Sequence, residues 1–120
     1  MTITSVTIAL PVRDLEKAKA WYRQLFEYPP MIEPVPGVVE LELGPAWLQL
    51  YQHQGIAGDS AVRVGVRDLH KLHKRLSEAG FVIEPISEVP GILEYFDFRD
   101  PDGNGLSFYQ EFERDGSSHR

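Results

Sequence analysis

The apolar side chains of this chain change their spacing from period two to the helical period, and they do so twice in the same order. Val6-Thr7-Ile8-Ala9-Leu10 and Ala61-Val62-Arg63-Val64-Gly65-Val66 alternate as half-buried strands do. After the first run, Leu15, Ala18, Tyr22, Leu25 and Phe26 fall on one face of a predicted helix. After the second, Leu69, Leu72, Leu76 and Ala79 do the same. Asp14 and Asp68 stand just ahead of these helices, where a carboxylate accepts from the free amides of the first turn. Gly80 supplies the left-handed residue that ends the second helix.

The two halves also share letters. Val12-Arg13-Asp14-Leu15 returns as Val66-Arg67-Asp68-Leu69, and a lysine follows two places later in both, Lys17 and Lys71. A four-residue match alone is a weak sign of duplication; one that coincides with the same strand, cap and amphipathic helix is a strong one. Short strand-like runs follow each helix. They are Met31 to Glu33, Val38 to Leu43 and Ala46 to Gln52 in the first half, and Val82 to Ile86, Leu93 to Phe98 and Leu106 to Phe112 in the second. Turns at Pro34-Val35-Pro36-Gly37, Gly44-Pro45, Pro90-Gly91 and Asp100-Pro101-Asp102-Gly103-Asn104-Gly105 separate them. Each half therefore reads β-α-β-β-β. One domain spans 1–120, with module one at about 1–53, a linker at 54–60, module two at about 61–113 and a polar tail at 114–120.

Composition narrows the class. At 120 residues, 42% hydrophobic and 25% charged, the chain has the make-up of one globular domain with its own core. No apolar run approaches the ~20 residues of a membrane helix, and no secretory signal is visible at the start, so a cytoplasmic protein without a membrane partner is expected. The lack of cysteine removes disulfides and thiolate metal sites. A net charge of -6 argues against a nucleic-acid partner and favours a neutral or cationic ligand.

Val12-Arg13-Asp14-Leu15-Glu16-Lys17-Ala18-Lys19-Ala20-Trp21-Tyr22, with Phe98-Arg99-Asp100-Pro101-Asp102-Gly103-Asn104, resembles the vicinal oxygen chelate superfamily of glyoxalases, bleomycin-resistance proteins and extradiol dioxygenases. The resemblance spans nearly the whole chain. It implies an α+β fold of two βαβββ modules, an open cupped eight-stranded mixed sheet with helices outside, a ligand in the cup, and a homodimer. Metal-using members of that family carry ligands on the first and last strand of each module. Matching motifs puts these positions at Thr7, Gln49, Ala61 and Ser107, and the interval between Thr7 and Ala61 equals that between the two Val-Arg-Asp-Leu copies. A divalent transition metal wants imidazole or carboxylate donors, and of these four only Gln49 offers even an amide oxygen. No metal and no cofactor is expected.

Alternation then says what else faces the cup. If Gln49 points inward, so do Trp47 and Tyr51; the same parity brings in Thr7, Arg63, Ser107 and Tyr109, and in the strand ending at Phe98 it selects Tyr95 and Asp97. Glu40 and Glu42 stand at the rim. Flat aromatics among a few donors and acceptors suit a planar small molecule.

Each element also has a purely structural meaning. Aromatics on a sheet commonly serve packing, Arg63 and Asp97 suit a cross-strand ion pair, and Trp21 suits partial burial beside the helix stripe. His53 reads as an exposed loop residue, His70 and His73 as a solvent-side helical pair, and Asp100 and Asp102 as turn-formers. No catalytic constellation assembles. The leading expectation is a metal-free binder that captures a hydrophobic or cationic aromatic compound. The alternatives are a lyase- or dioxygenase-type enzyme with a non-standard metal site or metal-free acid-base chemistry, and a protein-interaction module.

Overall fold

A computed structural model describes residues 2–55 and 61–113; most of the linker and the polar tail lie outside the described residues. The chain divides into two compact units. One holds the residues up to 55 together with Asp100–Asn104, and the other holds those from Ala61 to Arg99 and from Gly105 onward. In the first, β1 (Thr7–Val12), α1 (Leu15–Leu25), β2 (Met31–Val35), β3 (Val38–Glu42) and β4 (Trp47–Gln52) follow in order. In the second come β5 (Ala61–Gly65), α2 (Leu69–Glu78), β6 (Ser87–Val89), β7 (Leu93–Arg99) and β8 (Gly105–Glu111).

Each unit forms a four-stranded mixed sheet, ordered β1-β4-β3-β2 and β5-β8-β7-β6. The first and last strands of a module pair in parallel and the rest antiparallel. Among the described residues, two sheets, eight strands and two helices make the α+β fold that the duplicated pattern predicts. α1 lies on β3 and β4, and α2 on β7 and β8. The helix-facing halves of the alternation are the cores. In the first unit these are Leu10, Val12, Val39, Leu41, Leu48 and Leu50 with Leu15, Ala18, Tyr22 and Leu25 of α1. In the second, Phe96, Phe98 and Phe108 form a ring cluster with centroids 5.6–5.9 Å apart, closed by Leu69 and Leu76 of α2.

The two helices begin differently. Asp14 caps α1 as expected: its backbone is extended and its carboxylate accepts from Lys17 N. Asp68 does not cap α2. Its φ of 56° is left-handed, and a side chain reaches back to the first turn only from an extended backbone. A glutamine takes the first amide of both helices, beside Asp14 at α1 and in place of Asp68 at α2. Gln52 Oε1 accepts from Leu15 N at 3.3 Å, and Gln110 Oε1 accepts from Leu69 N at 2.9 Å. Gly80, at φ 92°, ends α2 as predicted.

Three further expectations need correction. Val82 to Ile86 is not a strand: Ile83 makes a single bridge to Phe98, and the ladder resumes only at Ser87. Pro85, which has no N–H to donate, interrupts that stretch. Ala79 lies exposed beyond the apolar stripe of α2. Arg63 and Asp97 are not among the ion pairs of the described residues.

The two family-like motifs meet in the first unit. Asp100 is buried, and its Oδ1 accepts from the amides of Asp102 and Asn104 at 2.9 and 2.8 Å. Its Oδ2 accepts from Tyr22 OH at 2.7 Å and from Asn104 Nδ2 at 2.8 Å, and that same amide nitrogen donates to Pro11 O. Burial first, then the Asp100 carboxylate beside it, pushes the Tyr22 phenol pKa up out of the titratable range, so the hydroxyl stays a donor. Asp102 Oδ1 accepts from Arg13 N at 2.9 Å. These residues hold the turn to β1 and α1, and their chemistry is consumed in doing so.

Candidate functional site

Alternation leaves one side of each sheet away from its helix. On the second sheet this side is a grid fixed by register. One row runs Arg63, Ser107, Asp97 across β5, β8 and β7, and the next runs Gly65, Tyr109, Tyr95. Beyond them Glu111 pairs with Leu93, and Leu93 with Val89. The buried partners in the same strands are Val62, Leu106, Phe108, Phe96 and Phe98. The open side forms a groove of about 650 Å³ lined by Arg63, Tyr95, Asp97, Ser107 and Tyr109 with Val89, Leu93 and Glu111.

Local contacts shape it. Ser107 Oγ donates to Asp97 Oδ1 across the β7–β8 pair. Tyr109 lies over β5 because residue 65 is glycine: a Cβ there would meet the Tyr109 ring and hydroxyl at 3.1 Å. Arg63 is exposed and takes part in no ion pair among the described residues.

On the first sheet, Thr7 pairs with Trp47, Ala9 with Gln49 and Pro11 with Tyr51. Trp47, Gln49 and Tyr51 are half-buried between the buried Leu48 and Leu50, as their parity requires. Gln49 Nε2 donates to Glu40 Oε2 at 2.9 Å, and Glu42 is exposed opposite Trp47. This carboxylate and donor pair occupies the register position that Asp97 and Ser107 hold in the second module. Of the nine residues selected from sequence, Arg63, Tyr95, Asp97, Ser107 and Tyr109 come together in the groove, and Thr7, Trp47, Gln49 and Tyr51 share the first sheet.

The positions at which metal-using relatives carry ligands do not fit a metal here. Thr7 offers an alcohol and Ala61 a methyl group, while the Gln49 amide and the Ser107 hydroxyl are engaged with carboxylates. Among the described residues no three His, Asp or Glu side chains stand close enough to hold an ion. The three described histidines each have their own partner. His70 Nε2 meets Glu94 Oε2 at 3.0 Å, His73 Nε2 donates to Glu84 O at 2.9 Å, and His53 Nδ1 accepts from Gly55 N at 3.1 Å. No helix among the described residues is long and apolar enough to cross a membrane.

Sequence reasoning missed Leu93, Glu111 and Val89. The first two have the parity of Tyr95 and Tyr109 and follow from extending that count by one step. Val89 was hidden by the misplaced strand. The capping glutamines had a signal as well, since Leu50-Tyr51-Gln52 returns as Phe108-Tyr109-Gln110.

Comparison with known proteins places this geometry. Residues 4–108 match the family model of the Glyoxalase/Bleomycin resistance protein/Dioxygenase superfamily. No curated protein matches the chain. Among solved structures, a lactoylglutathione lyase from Agrobacterium tumefaciens is similar at 21% identity and a TM-score of 0.78, covering 92% of this chain and 95% of that one. TnmS3, an antibiotic binding protein from Streptomyces sp. CB03234, is similar at 24% identity and a TM-score of 0.79, covering 93% and 99%. A glyoxalase / bleomycin resistance protein from Catenulispora acidiphila is similar at 23% identity and a TM-score of 0.78, covering 88% and 96%. These likenesses are of fold, and with the family match over most of its length the chain belongs to the glyoxalase/bleomycin resistance protein/dioxygenase superfamily.

Proposed function

We propose that this chain is a small-molecule capture protein that holds a planar organic compound in the groove of its second sheet. The observation that carries the reading is the pairing of Tyr95 with Tyr109 directly across β7 and β8, beside the Asp97, Ser107 and Arg63 row. Flat rings present area at low entropic cost, and the polar row orients what lies on them. The unsuitable donor set at the four family positions turns the reading away from metal-centred lyase or dioxygenase chemistry. TnmS3, described as an antibiotic binding protein, gives capture a precedent on the same fold. The reading carries with it a cytoplasmic location, expected from the sequence, and a homodimer, which the family resemblance implies; a monomer mass in sedimentation equilibrium removes the dimer and leaves the groove.

The test is thermal unfolding against a panel of planar aromatic compounds, neutral and charged. A compound present at a hundred times its Kd should stabilise the protein by about 2.7 kcal/mol. The same compound should give a much smaller shift with Tyr109→Ala. A panel without any stabilising member, or stabilisation unaffected by Tyr109→Ala, removes the reading.

A further inference from the structure

The groove does not end at the polar row. Arg63, Asp97 and Ser107 also line a second hollow of about 610 Å³ towards the other end of the same strands. The register row there is Ala61, Gly105, Arg99 across β5, β8 and β7. Alanine and glycine leave the middle of that row bare, with Arg63 on β5 and Arg99 on β7 beside it, and Val82, Ile83 and the Glu84 carboxylate complete the lining beyond β7. Both arginines are exposed. The Asp97 carboxylate in the adjoining row takes the Ser107 hydroxyl and forms no ion pair with Arg63. The two hollows make one track: an aromatic stretch at Tyr95 and Tyr109, then a stretch with the bare Ala61 and Gly105 positions beside Arg63.

Resting on the capture reading, we infer that the preferred guest is an aromatic anion, a flat ring carrying a carboxylate. The ring lies along the Tyr109 and Tyr95 row, and the carboxylate sits over Ala61 and Gly105 where Arg63 donates to it. A guanidinium matches a carboxylate with two parallel N–H donors, which fixes orientation as well as charge. The net charge of -6 favours a cationic guest, and the carboxylates of Asp97 and Glu84 line the same hollow; the anion preference therefore rests on Arg63, which has no ion pair among the described residues while Asp97 is engaged by Ser107.

Three probes of one shape test this by calorimetric titration: a naphthalene carboxylate, the matching carboxamide and the matching methylammonium. The carboxylate should bind about tenfold more tightly than either of the others, and more weakly as salt is raised. Arg63→Gln should lower carboxylate affinity to about the level of the carboxamide and weaken the carboxamide much less than the carboxylate. Tyr109→Ala should weaken all three. If the carboxamide or the ammonium binds as tightly as the carboxylate while still depending on Tyr109, the anion preference is wrong and the capture reading stands. If Arg63→Gln leaves carboxylate affinity untouched, the anion preference is likewise wrong. Failure of all three probes to bind overturns the anion preference and counts against capture itself.

Discussion

Asp100→Asn should destabilise the protein by about 3 kcal/mol although it changes neither shape nor volume. All four groups around this carboxylate are donors: the amides of Asp102 and Asn104 on one oxygen, the Tyr22 hydroxyl and Asn104 Nδ2 on the other. An asparagine supplies one oxygen where the turn uses two, so its NH2 must face a donor whichever way the amide is placed. Asp100→Ala removes both acceptors and should cost about 4 kcal/mol, lowering Tm by about 15 °C in a chain of this size. Tyr22→Phe takes away one donor and leaves the carboxylate three partners, so about 1–2 kcal/mol is expected. Urea unfolding of the three variants checks the order. A loss below about 1 kcal/mol for Asp100→Asn would show that the turn does not depend on this oxygen pair.

The second large effect separates stability from binding within one strand. Phe96 is buried, packed on Phe98 and Phe108 and with its ring 4.8 Å from that of His73 at 86°. Phe96→Ala should cost about 3–5 kcal/mol through lost burial and the cavity left behind. Its neighbour Tyr95 points to the opposite side of the sheet, into the groove. Tyr95→Ala should change stability by less than about 1 kcal/mol yet weaken binding of a planar guest about tenfold. Denaturant unfolding and titration of both variants with the same naphthalene carboxylate measure the two effects side by side. A Tyr95→Ala protein that binds normally would mean that this ring belongs to the sheet and not to the guest.

The extent to which all this was legible depends on how local the cause is. Period-two and helical spacing are local, and with the Val-Arg-Asp-Leu repeat they gave the modules, the strand parity and the groove residues Tyr95, Asp97, Ser107 and Tyr109. Asp68 shows where local reading stops. Its residue type is that of a cap, but its left-handed backbone gives the role to Gln110, which is 41 residues from the Leu69 amide it accepts from. Val82 to Ile86 shows a second limit, since strand-like residues mattered less than the missing N–H of Pro85. Asp100 and Asp102 read as turn-formers and are that. Their bonds to Tyr22 and Arg13, 78 and 89 residues distant, are tertiary and invisible to any window along the chain. The groove was legible as a face, whereas the bare Ala61 and Gly105 row between Arg63 and Arg99 emerged only from strand register.

The most direct measurement is a backbone amide NMR map of the protein titrated with the naphthalene carboxylate. The capture account expects the largest, saturable shifts at Arg63 to Gly65, Tyr95 to Asp97 and Ser107 to Tyr109, with α1 and the Asp100 turn unmoved. Saturable shifts centred elsewhere, or none on those three strands at saturating probe, would contradict it.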